Sequence, residues 1–278
     1  MLAQHLSPPS DSGMSASVAV FQRSETIKRS FDLLFSLAIA IVAIPVIVVA
    51  WLLVRATSAG PGFYSQMRVG RHGRHYRIYK IRTMYTNCEA ATGAAWSTKR
   101  DPRVTYFGRI FRTLHIDELP QLLNVLRGDM SLVGPRPERP EFVGPLSEIV
   151  PHYMERHSVC PGVTGLAQIQ LPPDSSIESV RTKLVLDRCY VQNSNIWLDL
   201  RIMLGTGLYL VGFSYARVRK LMWLPNPFAD QVATNQLSAL HVIGPFKVMG
   251  FFPTQLEDST APRSLTNEDG PVPCGEVP

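Results

Sequence analysis

The sequence has little cysteine, and its few thiols lie far apart. Cys88, Cys160, Cys189 and Cys274 show no C-x-x-C spacing. Structural zinc sites and dense disulfide scaffolds use closely spaced cysteines, so the sequence argues against both. Reduced thiols in a cytosolic environment fit this pattern best.

Acidic residues are also in the minority. The 278 residues include 28 Lys and Arg against 22 Asp and Glu, which gives a formal net charge of +6. This balance favours anionic partners such as a membrane surface, a nucleotide sugar or nucleic acid. No stretch interleaves aromatic and basic residues as nucleic-acid recognition requires, so nucleic acid is not an expected partner.

Both chain ends lack the pattern of a folded domain. Residues 1–26 are rich in Ser and contain no apolar run of the kind found in signal peptides, which predicts a disordered N-terminal tail. Residues 222–278 contain many prolines and become acidic and polar. They are predicted to form a C-terminal extension that is partly disordered.

One long stretch has no charge at all. Leu33 to Val54 is 22 residues, or ~33 Å of helix, which is enough to cross a bilayer once. Pro45 lies in its middle, where it removes a backbone hydrogen bond and favours a kink. Basic residues flank both ends and favour the cytoplasmic side for each. We therefore predict a re-entrant helix over residues 27–56 that breaks at Pro45, with a single span as the alternative.

An acidic pair precedes a short apolar helix. Asp117 and Glu118 stand before Leu119–Leu126, with Pro120 in the first turn and Gly128 after the end. A lone Asp at this point would usually be an N-cap. Adjacent carboxylates repel each other, and the free N–H groups of a helix start favour anions, so a divalent cation would relieve the repulsion.

A stiff turn follows. Met130–Val133 is predicted to be a short strand, and Gly134-Pro135-Arg136-Pro137 a turn whose prolines restrict the backbone on both sides of Arg136. An arginine held in this way is a pre-organised fork for phosphate.

The Asp-Glu-Leu-Pro-Gln-Leu stretch from Asp117, together with Pro135-Arg-Pro137, resembles the monotopic phosphoglycosyl transferase family. These bacterial sugar transferases move a phosphosugar from a UDP-sugar to polyprenyl phosphate. The match runs from about Lys28 to about Thr206. It implies an α-rich α/β monotopic enzyme with a re-entrant helix, interfacial amphipathic helices and a cytoplasmic catalytic domain over residues 57–221. The resemblance also implies that the catalytic domain is located on the cytoplasmic face of the bacterial inner membrane.

The resemblance further implies roles for particular residues. Asp117 would attack the sugar-bearing phosphorus and release UMP, after which undecaprenyl phosphate would displace the phosphosugar. Glu118 and Asp199 would hold Mg²⁺. The implied phosphate ligands are Arg112, Arg136, Lys80 and Arg82, and the implied supporting residues are Asp187, Pro135 and Pro137.

Alternating residues in Gly62–Val69 and Arg74–Met84 predict a β-hairpin that places Lys80 and Arg82 on one face. Simple solvation of these two side chains is the alternative to phosphate binding.

Tyr153–Arg156 has the spacing of a surface helix. The helices predicted to follow carry Asp187, Asp199 and an interfacial segment, Ile202–Phe213. For Asp187 an ion pair with an arginine is the alternative.

The expected partners are a UDP-sugar of the glucose or galactose type, polyprenyl phosphate and membrane lipids, with a homodimer as an option. Two other functions stay open. In a membrane-anchored regulator the acidic pair would only cap a helix. A lipid-linked glycosyltransferase would move the sugar without its phosphate and release UDP in place of UMP.

Overall fold

The computed structural model describes residues 11–88, 101–173 and 176–228, with side chains from residue 25 onward. It is rich in helix and contains two small two-stranded sheets, which agrees with the predicted α-rich α/β class. Among the described residues, Cys88, Cys160 and Cys189 form no disulfide. The predicted C-terminal extension lies outside the described residues from position 229 onward.

A single helix, α1, runs from Asp11 to Thr57. It passes through Pro45 without interruption, so the predicted break in secondary structure is not present. Proline removes one hydrogen bond from the helical ladder but leaves the bonds on either side available. The helix also includes residues 11–26 of the predicted disordered tail, where no proline follows Pro9 to end it.

One face of α1 packs against the rest of the chain. Its buried residues recur at spacings of four or seven, as one helix face requires: Asp32, Ser36, Ala43, Ala50 and Val54. Large apolar side chains occupy the exposed face: Leu34, Leu37, Ile41, Val42, Ile44, Val48, Val49 and Leu52. By length and composition, Glu25–Thr57 is able to cross a membrane.

Both ends of the apolar run contact the same folded unit. At one end, Lys28 Nζ lies 2.7 Å from a carboxylate oxygen of Asp199. At the other, Ala50 and Val54 pack in a hydrophobic cluster with Ile81 and Phe111. The apolar run is thus held against the domain before and after its midpoint.

The predicted hairpin is confirmed. Strands β1 (Phe63–Val69) and β2 (His75–Ile81) pair antiparallel, with Phe63 opposite Ile81 and Val69 opposite His75. Tyr76 and Ile78 point from one face of β2 into the main core. The same face carries Lys80.

The segment after the hairpin bears the acidic pair. Helix α2 (Tyr106–Thr113) is capped by Thr105, whose Oγ1 accepts from the Gly108 N–H. A 3₁₀ helix (Ile116–Gln121) leads directly into α3 (Leu122–Arg127), which ends at Gly128 with a φ of 90°. The predicted helix therefore exists, but its first turn is 3₁₀.

Two very short strands fix the turn that follows. Strands β3 (Ser131–Val133) and β4 (Gly162–Thr164) are parallel, and a Cβ placed on Gly162 would lie 2.0 Å from the Gly134 nitrogen. Only glycine permits this approach. The remaining helices are α4 (Pro140–Ile149), a 3₁₀ helix (Tyr153–Ser158), α5 (Ile177–Asn193), α6 (Ile196–Leu210) and α7 (Tyr215–Leu221).

Candidate active site

The acidic pair lies in the first turn of the 3₁₀ helix, and both residues are buried. His115 occupies the cap position with a left-handed backbone, so Asp117 is not an N-cap. Only 7% of Asp117 and 8% of Glu118 is exposed. Burial of two adjacent carboxylates is costly unless cations or hydrogen bonds compensate, so their surroundings decide what each can do.

Glu118 is tightly engaged. Its Oε1 accepts a hydrogen bond of 2.7 Å from Lys80 Nζ and another of 2.7 Å from Arg136 Nη2. Burial alone would raise the pKa of Glu118, but the charges and hydrogen bonds of Arg136 and Lys80 bring that pKa well below its ordinary value. Glu118 is therefore a fixed anion that holds two cations in place.

Asp117 is in the opposite situation. Among the described residues, its carboxylate has no hydrogen-bond or ion-pair partner. Burial raises the pKa of Asp117, the neighbouring Glu118 adds to the rise, and the charges of Lys80 and Arg112 oppose it. Neighbouring carboxyls with pKa values shifted in opposite directions are suited to different chemical roles. An unengaged, more basic carboxylate is suited to nucleophilic attack.

Three of the predicted phosphate ligands surround the pair. Arg136 is exposed while Pro135 and Pro137 beside it are buried, so the turn presents the arginine and hides the prolines. Lys80 contacts Glu118 directly. Arg112 donates from Nε to Thr83 Oγ1 at 2.9 Å, and its charge lowers the pKa of Asp117.

Arg82 does not join this group. Its guanidinium donates to Ala59 O at 2.6 Å and to Ser58 O at 2.8 Å, at the end of α1. Strand β2 ends at Ile81, so the alternation that would place Arg82 beside Lys80 no longer applies. Arg82 is therefore a structural residue that fastens the end of α1.

Asp199 is placed differently from its predicted role as a metal ligand beside Glu118. The residue is fully buried, and its two carboxylate oxygens bind Lys28 Nζ and the Tyr190 hydroxyl, each at 2.7 Å. This position ties α6 to the start of the apolar run of α1. Among the described residues, no three His, Cys, Asp or Glu side chains are grouped to hold a metal ion.

Asp187 contacts Arg156, which lies in the segment Tyr153–Arg156 that was predicted to be a surface helix. Asp187 Oδ2 lies 2.9 Å from Arg156 Nη2, which also donates to the Arg136 carbonyl at 2.9 Å. The ion-pair alternative for Asp187 is therefore what the structure shows. No sequence signal marks Arg156, because its 8% exposure results from contacts with distant parts of the chain.

The described residues form one long apolar helix and a small domain that carries a buried acidic pair with Lys80, Arg112 and Arg136 around it. Comparison with known proteins gives the family. Residues 23–212 match the model of the bacterial sugar transferases, and the chain belongs to that family.

Three relatives illustrate the range of the family. The chain is 40% identical over 185 residues to an exopolysaccharide production protein of Rhizobium leguminosarum, and this match covers 65% of our chain and 92% of the relative. It is 40% identical over 181 residues to a UDP-glucose:undecaprenyl-phosphate glucose-1-phosphate transferase of Caulobacter vibrioides, a match that covers 64% of our chain and 67% of the relative. It is 41% identical over 180 residues to a UDP-N-acetylgalactosamine-undecaprenyl-phosphate N-acetylgalactosaminephosphotransferase of Aeromonas hydrophila (65% and 42%). The chain thus spans less than half of the Aeromonas protein.

Proposed function

We propose that this protein transfers a sugar 1-phosphate from a UDP-sugar, of the glucose or galactose type, to undecaprenyl phosphate and releases UMP. The observation that carries the proposal is the buried pair in which Glu118 is locked by Lys80 and Arg136 while Asp117 has no partner among the described residues. The relatives named for undecaprenyl-phosphate transfer support the choice of substrates.

The reaction would proceed in two steps. A carboxylate oxygen of Asp117 forms a bond to the sugar-bearing phosphorus of the UDP-sugar, and the bond from that phosphorus to the oxygen of UMP breaks. An oxygen of undecaprenyl phosphate then attacks the same phosphorus and restores the Asp117 carboxylate. The raised pKa of Asp117 favours the first step, because a more basic carboxylate is a better nucleophile.

The cations around the pair would stabilise the charge of the diphosphate. Lys80 and Arg136 both contact Glu118, the residue next to the nucleophile, so neither has to move far to reach a phosphoryl group bound at Asp117. Fixed cations placed where charge develops lower the barrier of phosphoryl transfer. Arg112 adds a third positive charge from α2.

The acidic pair fits magnesium by its chemistry, whereas Asp199 does not. Mg²⁺ is usually held by one or two carboxylates with substrate phosphates and water, and Asp117 and Glu118 provide two adjacent carboxylates. Both oxygens of Asp199 are already engaged by Lys28 and Tyr190. In Glu118 both short hydrogen bonds fall on Oε1, and Oε2 has only a 3.5 Å contact with Arg136 Nη1 among the described residues. We therefore propose that Glu118 holds the ion through Oε2, and that the ion would neutralise diphosphate charge when bound.

We expect Glu118→Gln to raise the magnesium concentration required for half-maximal UMP release by about tenfold or more, with partial recovery at high magnesium. The amide removes a ligand but leaves Asp117 intact. The measurement is UMP release against magnesium concentration. Glu141→Gln, at a carboxylate 56% exposed and outside the site, is the control. An unchanged magnesium dependence in Glu118→Gln would rule out this ligand role.

We also propose that α1 enters the membrane from the cytoplasmic side and returns to it, with a bend at Pro45 that leaves the helix continuous in secondary structure. Lys28 and Ala50 contact the same domain from opposite ends of the apolar run, which a straight span would separate by the bilayer. The exposed apolar face of α1 would then lie in lipid, and the catalytic domain on the cytoplasmic face.

Cysteine labelling can test this topology. In a variant without native cysteines, Val20→Cys and Arg74→Cys should both stay unlabelled by an impermeant thiol reagent in intact spheroplasts and both react after lysis. The basic flanks predict the same side for the two positions. If position 20 reacts in intact spheroplasts while position 74 does not, α1 is an ordinary span.

The experiment that tests the proposed function is UMP release across a panel of UDP-sugars with undecaprenyl phosphate. We expect UMP with at least one sugar and dependence on Asp117. Release of UDP would indicate a lipid-linked glycosyltransferase. Absence of any nucleotide release, with membrane binding retained, would indicate a regulator.

A further inference from the structure

The turn that carries Arg136 is fixed by donors outside it. Four consecutive carbonyls each accept a hydrogen bond from a different residue: Pro135 from Gly162 N, Arg136 from Arg156 Nη2, Pro137 from Arg68 Nη1, and Glu138 from Val69 N. All four distances lie between 2.9 and 3.0 Å. These bonds fix the orientation of the four peptide planes that begin at Pro135, Arg136, Pro137 and Glu138.

The turn needs these donors because it has few of its own. Pro135 and Pro137 have no N–H and their rings fix φ, so internal hydrogen bonding is limited and ψ must be set by other contacts. Two of the four donors are backbone N–H groups. The other two are the side chains of Arg156 and Arg68, and only these can be removed by substitution.

Both side chains are themselves held. Besides its ion pair with Asp187, Arg156 donates from Nη1 to the Tyr153 hydroxyl at 2.9 Å and lies 5.3 Å from the centre of that ring. Arg68 donates to Gln66 Oε1 at 2.9 Å. The exposed fractions of the two arginine side chains are 8% and 17%. Arg156 is therefore a buried donor and Arg68 a half-buried one, and both are pre-oriented.

We propose that Arg156, fixed by Asp187, and Arg68 are positioning residues for the transfer reaction. They hold the carbonyls of Arg136 and Pro137 so that the Arg136 guanidinium stays 2.7 Å from Glu118. The Arg136 side chain is 44% exposed, so without a fixed backbone it would populate many other conformers. This inference rests on the proposed function.

The test uses variants that keep the fold. Replacing Arg156 alone would leave Asp187 buried without its cation, which is strongly destabilising. The double variant Arg156→Gln/Asp187→Asn removes both charges, and Arg68→Gln removes the second donor independently. We expect each to lower kcat for UMP release about 10- to 100-fold, with a smaller change in KM for the UDP-sugar.

A matched control comes from the same part of the molecule. Arg188 and Glu155 also pair α5 with the second 3₁₀ helix, at 2.7 Å, but they are partly exposed and do not contact the turn. Arg188→Gln/Glu155→Gln should leave kcat within about twofold of wild type, as expected for a surface ion pair. Thermal unfolding of all variants verifies that they are folded.

The decisive comparison repeats the substitutions in an Arg136→Ala background. If Arg156 and Arg68 act through Arg136, each substitution should lower kcat by less than about threefold further in the Arg136→Ala background. The reason is that the effects of residues that act as a unit are not additive. The same fold-loss in both backgrounds, or wild-type kcat in folded Arg68→Gln and Arg156→Gln/Asp187→Asn, overturns the proposal. A failure of the proposed function would differ, since wild type itself would then release no UMP.

Discussion

Asp117→Asn should lower UMP release by a factor on the order of 10⁴ or more at every magnesium concentration, because an amide cannot form the phosphoryl bond of a covalent intermediate. The measurement is single-turnover UMP release with the preferred UDP-sugar. Glu141→Gln is the control, since this carboxylate is 56% exposed and pairs with Arg139, not with the residues around Asp117 and Glu118. Residual turnover within tenfold of wild type would exclude Asp117 as the nucleophile.

The same substitution should stabilise the fold. A carboxyl whose pKa is raised by folding keeps its proton longer in the native state, so wild-type stability falls as pH rises from the ordinary pKa of Asp through the raised one. Asparagine does not titrate. The melting temperature of Asp117→Asn should therefore match wild type at low pH and exceed it near neutrality. An equal melting temperature at both extremes would contradict the raised pKa.

Arg136→Ala should lower kcat by about 10²- to 10³-fold, which is the usual cost of removing a group that stabilises charge in the transition state. The kcat of Arg136→Lys should fall between those of wild type and Arg136→Ala, because lysine keeps the charge but not the two-pronged donor geometry. Loss of Arg136 also removes the largest opposing influence on the Glu118 pKa, which should rise.

The control for Arg136 is Arg109→Ala. Arg109 is an exposed arginine of α2, one turn from Arg112. Its replacement by alanine should change kcat by less than about twofold. Steady-state UMP release at saturating magnesium and UDP-sugar provides the comparison. Equal losses in the two variants would show that Arg136 contributes only to the general positive charge.

Local patterns predicted the parts of the site that depend on neighbours in sequence. The hairpin and the Gly128 stop are confirmed, because turn and alternation rules act over a few residues. The position of the acidic pair at a helix start is also confirmed, although its first turn is 3₁₀.

Residues whose role depends on tertiary contacts could not be predicted in this way. Asp199 binds Lys28, 171 positions away in the chain, and Arg156 reaches the Arg136 carbonyl from a segment that resembles a surface helix. Arg82 shows the same limit, since it shares a predicted strand face with Lys80 but fastens the end of α1. Each of these depends on which distant elements meet.

The central claim is a covalent phosphosugar on Asp117, and intact-mass analysis tests it most directly. The protein is incubated with its UDP-sugar and magnesium but without undecaprenyl phosphate, and is then digested for peptide mapping. Wild type should gain the mass of one phosphosugar on the peptide that contains Asp117, and undecaprenyl phosphate should remove it. An adduct that persists in Asp117→Asn, or turnover that requires both substrates bound at once, would contradict the account.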